Sequence, residues 1–394
     1  MRYGILIGLI VLGVITFVAT VLTTGEPRVH WAMVSVNLIF FLGITQGGII
    51  FSIMFRVSKS RWGRNYMRLG EIITLSFIPV AIILFLAVGI GGVDHLFYWA
   101  HPEAAGSGHG GAHAMSPWLN KTFFYWRIVV TNILFYVVAY IYFRLGRAEE
   151  RAMKASHDHL GADLPGVKRG LEKAVNVFAA LTGITFVLLN TNLAWDFGMM
   201  IWKHWESTIF SPFYWVGNAF AGGAFLFLMS FFFLKRKPGV DVSGASKEGI
   251  SKTMLSFALL WIYMFWSQYI VMWYTNVPHR MEPVIRQMNG EYRPIFIFMM
   301  LTLFVLPFLA LIFRRMMTST SALGVVAALV CTGLWVNRYL MVNSAFGETP
   351  LLGGGIGVMT TLAIGSATIL SIALFRKVFP GITLKTYIPP STGH

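Results

Sequence analysis

The sequence has few charged residues, and this scarcity excludes most soluble folds. Only 12% of its 394 residues are Asp, Glu, Lys or Arg, and 56% are hydrophobic. An ordinary soluble domain carries roughly 25% charged residues. Because long apolar runs occupy most of the chain, we predict an integral membrane protein.

Cysteine is almost absent as well. The single Cys331 lies inside an apolar run, so a disulfide, a cysteine-ligated zinc ion or an iron–sulfur cluster within this chain is excluded. The chain also lacks the Cys-x-x-Cys-His motif that attaches haem covalently. Redox groups of these kinds would have to reside in partner proteins.

Histidine is missing from the interiors of the apolar segments. All ten histidines lie in loops or at helix ends, whereas a membrane haem b takes its axial ligands from within helices. Several of them lie in the loop 93–122, where Gly and Ala give no rigid frame for a metal. We therefore predict neither a haem nor a metal site.

Ten apolar segments are long enough to cross a membrane, which takes about 20 residues. Their unbroken apolar character favours helices over barrel strands. The first segment lacks a convincing signal-peptide cleavage site, so we interpret it as a retained helix. The predicted helices cover approximately residues 4–23, 32–55, 72–92, 123–143, 175–200, 211–234, 252–275, 294–313, 321–341 and 353–375.

The net charge of +15 reflects membrane topology. In a soluble protein such a charge would suggest nucleic acid, but here most of the 31 basic residues fall in loops on one side of the predicted helices. By the positive-inside rule that side is cytoplasmic, and both termini lie there. No nucleic-acid partner is predicted.

A weak internal repeat relates helices 2–5 to helices 6–9. Gly47-Gly48 aligns with Gly222-Gly223, and Leu75-Ser76-Phe77 aligns with Leu255-Ser256-Phe257. The predicted fold is all-α, with two four-helix bundles (helices 2–5 and 6–9) and peripheral helices 1 and 10. Each match involves few residues, so chance is the alternative. The corresponding segments are 1–31, 32–202, 203–345 and 346–394.

Polar residues within the helices concentrate near the predicted outer side. The inner half holds little beyond Gln46, Ser52, Glu71 and Asn176. A one-sided polar cluster in a membrane is either a ligand pocket that opens outward or a docking surface for an outer protein.

Simpler structural roles compete with ligand binding for most of this cluster. Four asparagines suit interhelical hydrogen bonds: Asn37, Asn190, Asn218 and Asn337. Three charged residues near helix ends suit mutual pairing: Arg127, Asp196 and Arg338. Five tryptophans suit an interfacial belt better than a quinone slot: Trp195, Trp202, Trp205, Trp215 and Trp273.

A quinone site would need an aromatic cleft with a hydrogen-bond partner for each ring oxygen. Gln268, an amide in an apolar helix, is the strongest candidate for such a partner. Asp94, His95, Asp196 and His279 are candidate proton acceptors. The full candidate set is Gln268, Asn276, His279, Arg280, Asp94, His95 and Asp196, and no residue is assigned a catalytic role.

The stretch 266–278 carries the most specific signal. Its pattern is Trp-Ser-Gln-Tyr-x-Val-x-Trp-Tyr-x-Asn-x-Pro, and it is accompanied by Trp195-Asp196 and by Ser207-Thr208-Ile209-Phe210. Together with the ten-helix layout, these residues resemble the ActF-type membrane subunits of bacterial alternative complex III, which belong to the NrfD- and PsrC-like group. Family members tend to continue with two glutamates after the proline, whereas here Pro278 is followed by His279-Arg280.

This resemblance implies a subunit of a quinol:cytochrome c oxidoreductase in the bacterial cytoplasmic membrane. Menaquinone or another quinone would be the bound group, and haem and iron–sulfur clusters would reside in partner subunits. The implied partners are a paralogous NrfD-like membrane subunit, a periplasmic iron–sulfur subunit, cytochrome c subunits and lipid.

Three functions stay open at this point. The chain could bind quinone as an electron-transfer subunit, or it could be a scaffold that only anchors outer redox subunits. The third function, a proton-conducting or transporter-like role, would require interrupted helices and midplane charges, which are scarce here. Whether the subunit is itself enzymatic is therefore open too.

Overall fold

The computed structural model describes residues 3–23, 27–60, 62–101, 117–157, 165–203, 205–234, 244–275, 278–347 and 353–378. Within these ranges every regular element is helical. Ten segments among them are long and apolar enough to cross a membrane. The chain is an all-α, multi-pass membrane protein, which confirms the prediction from the apolar runs.

Several crossings are composite. The third consists of α3 to α5 with a π-helical turn at Val88–Gly92, the fifth is α7 followed by a π turn at Trp195–Met199, and the eighth consists of α11 and α12 around a π turn at Leu301–Val305. The helices are α1 Tyr3–Thr23, α2 Pro27–Val57, α3 Arg64–Ser76, α4 Ile78–Ala87, α5 Val93–Leu96, α6 Lys121–His157, α7 Pro165–Ala194, α8 Phe210–Leu234, α9 Gly244–Thr275, α10 Pro278–Met288, α11 Arg293–Met300, α12 Leu306–Ile312, α13 Arg314–Thr318, α14 Thr320–Asn343 and α15 Gly354–Val378.

Each predicted crossing coincides with an observed one, although some helices are longer. The third crossing was predicted at 72–92 but begins with α3 at Arg64, and the fourth was predicted at 123–143 but α6 continues to His157. Apolar windows end at the first arginine, whereas Lys, Arg, Glu and Ala are good helix formers and extend a helix beyond the bilayer. These extensions place charged residues in regular helix next to the membrane-crossing segments.

Two helices form the centre of the molecule. α2 and α8 are buried along most of their length; α2 packs against α3 and α8, and α8 packs against α9 and α14. α6 and α7 pack against each other, and α1 packs chiefly against α15. Gly13 is the one buried residue of α1, and the other residues of that helix are exposed or partly exposed.

α2 and α8 touch through glycines. A Cβ atom added to Gly47 would lie 2.7 Å from the Gly222 Cα and 2.5 Å from the Asn218 carbonyl oxygen. A Cβ atom added to Gly222 would likewise lie 2.5 Å from the Gly47 Cα. Small residues at membrane helix contacts allow such a close backbone approach. The pair therefore sets the separation of the two central helices.

We expect Gly47→Leu to destabilise the protein, because the leucine forces α2 and α8 apart. Overpacking a close contact costs about 1–3 kcal/mol or more. Gly183→Leu is the matched control, since an added Cβ atom there meets no heavy atom within 4 Å. Thermal unfolding in detergent is the measurement, and equal losses of stability in both variants would show that the contact does not set the helix spacing.

Candidate functional site

The candidate residues from the sequence fall into separate places. Gln268 lies in α9, Asp94 and His95 lie in α5, and Asp196 lies in the π turn after α7. His279 and Arg280 belong to the first turn of α10, but their side chains are outside the part of the chain that the structure describes, and Asn276 is outside it altogether. α10 adjoins both Gln268 and the Asp94–His95 pair of residues, so we call the end of the molecule at which α10 lies the α10 face.

Gln268 borders a narrow space that we call the aromatic cleft. The cleft lies between α8, α9, α10, α11 and α14, and its free volume is about 30 Å³. Its walls are six aromatic residues, three amides and three aliphatic residues: Trp205, Phe210, Phe213, Phe265, Tyr269 and Phe296; Gln268, Gln287 and Asn337; and Val284, Met299 and Met341.

Gln268 is 7% exposed, and its side chain makes no hydrogen bond to any described residue. The indole Nε1 of Trp205 is buried and also has no partner among these residues. A polar group removed from water costs free energy unless it is hydrogen-bonded. The aromatic cleft thus offers two polar groups that can bind a ligand.

The chemistry of the cleft suits a planar ring that carries polar oxygens. Aromatic walls can stack on such a ring, while Trp205 donates a hydrogen bond and Gln268 can donate or accept. Small-molecule pockets generally measure about 300–1,000 Å³, so the cleft must widen to take a ring. The flexible side chains of Met299 and Met341 provide a means of widening.

α10 separates the aromatic cleft from a second, larger space. Val284 and Gln287 face the cleft, whereas Glu282 and Arg286 face a cavity of about 420 Å³ that we call the rim cavity. The rim cavity lies between α2, α5, α10 and the segments that follow α7 and α14. Its lining is Arg28, Asp94, His95, Leu96, Phe97, Tyr98, His101, Ile201, Trp202, Lys203, Glu282, Arg286, Ala345 and Phe346.

Asp94 has a partner in the rim cavity. Lys121 donates a hydrogen bond to its Oδ1 at 2.5 Å, and both side chains are about half exposed. The His101 ring nitrogen lies 2.6 Å from the Asp94 carbonyl oxygen. The pair is open to solvent, and Asp94 and His95 lie in a different space from Gln268.

Asp196 is paired inside the protein. Its carboxylate is fully buried and accepts hydrogen bonds from Nε and Nη2 of Arg127, which also donates to the Trp118 carbonyl oxygen at 2.6 Å. The guanidinium lies against the rings of Trp118, Phe123 and Phe124. This is the mutual pairing that the sequence offered as an alternative to ligand binding, and it fastens α6 to the end of α7.

Three of the four asparagines, Asn37, Asn190 and Asn218, link neighbouring helices as predicted, whereas Asn337 accepts a hydrogen bond from Arg338 of its own helix. Asn190 donates to Gln46 at 3.0 Å, and Asn218 donates to Asn190 at 2.8 Å. Arg338 continues this chain by donating to Asn218 at 2.8 Å. Trp335 donates to Asn37 in the same way, which joins α14 to α2. These bonds tie the central helices together.

A charged cavity of about 590 Å³ opens at the end of the molecule opposite the α10 face. Arg68 pairs with Glu71 and Glu150, both at 2.6 Å, and Arg56 pairs with Glu149 at 2.5 Å. We call it the glutamate cavity. Sequence reasoning missed Glu149 and Glu150 because it assigned them to a solvated linker; the lack of a helix breaker after residue 146 was the available signal.

No protein-family model matches the chain, and no curated protein matches it.

We expect Arg127→Met to destabilise the protein by about 3–5 kcal/mol, because it leaves the Asp196 carboxylate buried without a cation. Lys121→Met breaks the exposed pair with Asp94 and should cost about 1 kcal/mol or less. The fraction of folded protein after heating, measured by size-exclusion chromatography, compares the two variants. Equal survival would contradict a fastening role for the buried pair.

Proposed function

We propose that this chain is a membrane subunit of a quinol:electron-acceptor oxidoreductase that binds a quinone ring in the aromatic cleft. The observation that carries the proposal is Gln268, a residue 7% exposed in an aromatic cleft, whose amide makes no hydrogen bond to any described residue. Gln268 also belongs to the stretch 266–278, whose residues resemble the ActF-type subunits of bacterial alternative complex III. Menaquinone or another quinone is the proposed ligand.

The residues of the cleft fit such a ring. A quinone has two carbonyl oxygens, and the unpaired Nε1 of Trp205 and the amide of Gln268 can each bind one of them. When bound, a quinol supplies two electrons and two protons. The chain's own contribution is to hold the ring by its oxygens, to stack aromatic side chains against it and to exclude water.

The proposed assembly follows from the same resemblance. The α10 face would be periplasmic and both termini cytoplasmic, in a bacterial cytoplasmic membrane. Haem and iron–sulfur clusters would reside in cytochrome c subunits and in a periplasmic iron–sulfur subunit, and a paralogous NrfD-like subunit would lie alongside in the membrane. The rim cavity, with Asp94 and His95, would then be open to the periplasm for proton release or docking.

Two four-helix bundles related by an axis along the membrane normal are part of this proposal. The Gly47–Gly222 contact supports it, because these glycines occupy equivalent positions in the sequence repeat. Equivalent residues meet each other only next to a two-fold axis. In this arrangement α2 and α8 line the axis, and α1 and α15 are peripheral.

We expect Gln268→Leu to lower the quinone affinity of the purified complex by about 1–3 kcal/mol, since one ring oxygen loses its hydrogen bond. Ser267→Ala is the control, because Ser267 is half-buried, does not line the cleft and donates a hydrogen bond to the Tyr263 carbonyl oxygen of its own helix. Extracted quinone per complex and the rate of quinol oxidation are the measurements. Unchanged values in Gln268→Leu would leave the scaffold role as the better account.

Purification in mild detergent distinguishes a quinone-binding or scaffold subunit of an oxidoreductase from a transporter. Subunits with haem c and iron–sulfur clusters should co-purify with the chain if it belongs to an oxidoreductase. Isolation of the chain without any redox subunit would contradict the proposal.

A second function, proton uptake, is favoured by the glutamate cavity. The Ser52 hydroxyl donates a hydrogen bond to the Glu71 carboxylate at 2.7 Å and lies 3.1 Å from the Tyr142 hydroxyl. Glu71 lines the cavity, so Ser52 and Tyr142 continue a chain of groups that can pass a proton from the cavity into the protein. The cavity opens on the proposed cytoplasmic side. Carboxylates at the mouth of a membrane protein commonly mark proton relays.

We expect Glu71→Gln to slow proton uptake on the order of 100-fold, the effect of removing one proton-transfer group. Glu248→Gln is the control, because Glu248 is paired with Lys252 at the start of α9 and does not line the cavity. The complex in liposomes, with a pH-sensitive dye inside, gives protons moved per electron. An unchanged ratio in Glu71→Gln would exclude this route.

A further inference from the structure

Arg338 is a fully buried cation in α14. Its Nη2 donates to the Asn218 side chain at 2.8 Å and to the Tyr214 carbonyl oxygen at 2.9 Å, and its Nη1 donates to Asn337 at 3.0 Å. The guanidinium carbon lies 3.9 Å from the centre of the Tyr214 ring. Every one of these partners is neutral.

The other buried arginines of the described residues differ in this respect. Arg68 is paired with Glu71 and Glu150, and Arg127 is paired with Asp196. Arg338 has no carboxylate within salt-bridge distance among the described residues, and its Nε, also buried, has no hydrogen-bond partner there. Arginine keeps its charge at cellular pH, so an uncompensated positive charge lies inside the membrane region.

Such a charge is costly to bury. Uncompensated ions in a membrane interior are rare, and they generally face a site where the charge is used. Amide dipoles and the face of an aromatic ring lower this cost but leave the net charge in place. The positive potential of Arg338 therefore extends into whatever space lies beside it.

Arg338 is connected to the aromatic cleft through Asn337. Asn337 lines the cleft and accepts the Nη1 hydrogen bond from Arg338. A charged donor polarises the amide that accepts from it, which strengthens the amide's own N–H as a donor. Arg338 thus acts on the cleft through its field and through Asn337, without lining the cleft itself.

We propose that Arg338 makes the aromatic cleft selective for ring ligands that carry negative charge on a ring oxygen. The chemical class is an ionised hydroxyquinone or phenolate, preferred over a neutral ring of the same shape. This proposal rests on the ring-binding function of the cleft. Arg338 is a positioning residue, since its field and its bond to Asn337 set the preference.

A matched pair of probes tests the selectivity. One is a 2-hydroxy-1,4-naphthoquinone with an alkyl tail at position 3, which ionises near neutral pH, and the other is its 2-methoxy derivative, which stays neutral. Binding to the purified complex in detergent is followed by isothermal titration calorimetry. At an effective dielectric constant of about 20, the buried charge should favour the ionised probe by roughly tenfold or more.

Three variants identify the source of the preference. Arg338→Lys keeps the charge and should keep the preference, whereas Arg338→Gln keeps hydrogen-bond donors without the charge and should lose it. Lys252→Gln removes an exposed cation at the other end of α9 and should change nothing. A preference that survives in Arg338→Gln would overturn the proposal.

The native protein provides a test that needs no variant. Between the probe's protonated and ionised forms, affinity for the hydroxynaphthoquinone should rise with pH, while affinity for the methoxy derivative should stay constant. Equal affinity for both probes at all pH values would overturn the role of Arg338 and leave ring binding intact. Failure of both probes to bind would overturn ring binding in the cleft as well.

Discussion

Polar groups inside a membrane must find hydrogen-bond partners within the protein, because the surrounding lipid offers none. This constraint explains most of the polar residues in the crossings. Gln46, Asn190, Asn218 and Arg338 form one hydrogen-bonded chain through the central helices, and Arg127 binds Asp196 near the α10 face. These bonds, together with the glycine contact between α2 and α8, give the helices one mutual arrangement.

Polar groups without partners at the aromatic cleft mark the candidate site, although buried polar atoms without partners also occur elsewhere among the described residues. The buried Nε1 of Trp205 lacks a partner among the described residues, the Gln268 side chain makes no hydrogen bond to them, and both residues line the aromatic cleft. Arg338 has no carboxylate partner among the described residues, and its hydrogen bond to Asn337 links it to the same cleft. A ring with polar oxygens would give Gln268 and Trp205 hydrogen-bond partners. An ionised ring would in addition bring a negative charge towards Arg338.

The sequence was sufficient for features that depend on a single segment. Apolar length predicted ten crossings, and an amide in an apolar run drew attention to Gln268. Features that depend on several segments were missed. Trp205 was predicted to lie in an interfacial belt, yet it is 5% exposed, because it packs against Phe210 and lines the aromatic cleft. Glu149 and Glu150 reach the glutamate cavity only because α6 continues past the apolar run, and the missing partner of Arg338 could be recognised only after packing.

Photochemical labelling tests the central claim most directly. A quinone with an azide on its ring, irradiated in the purified complex and followed by mass spectrometry of peptides, reports which residues contact the ring. Ring binding in the aromatic cleft predicts labels around Gln268 in α9 and around Phe296 and Met299 in α11, displaced by excess unlabelled quinone. Displaceable labels confined to the rim cavity around Asp94, or no displaceable label on this chain, would contradict it.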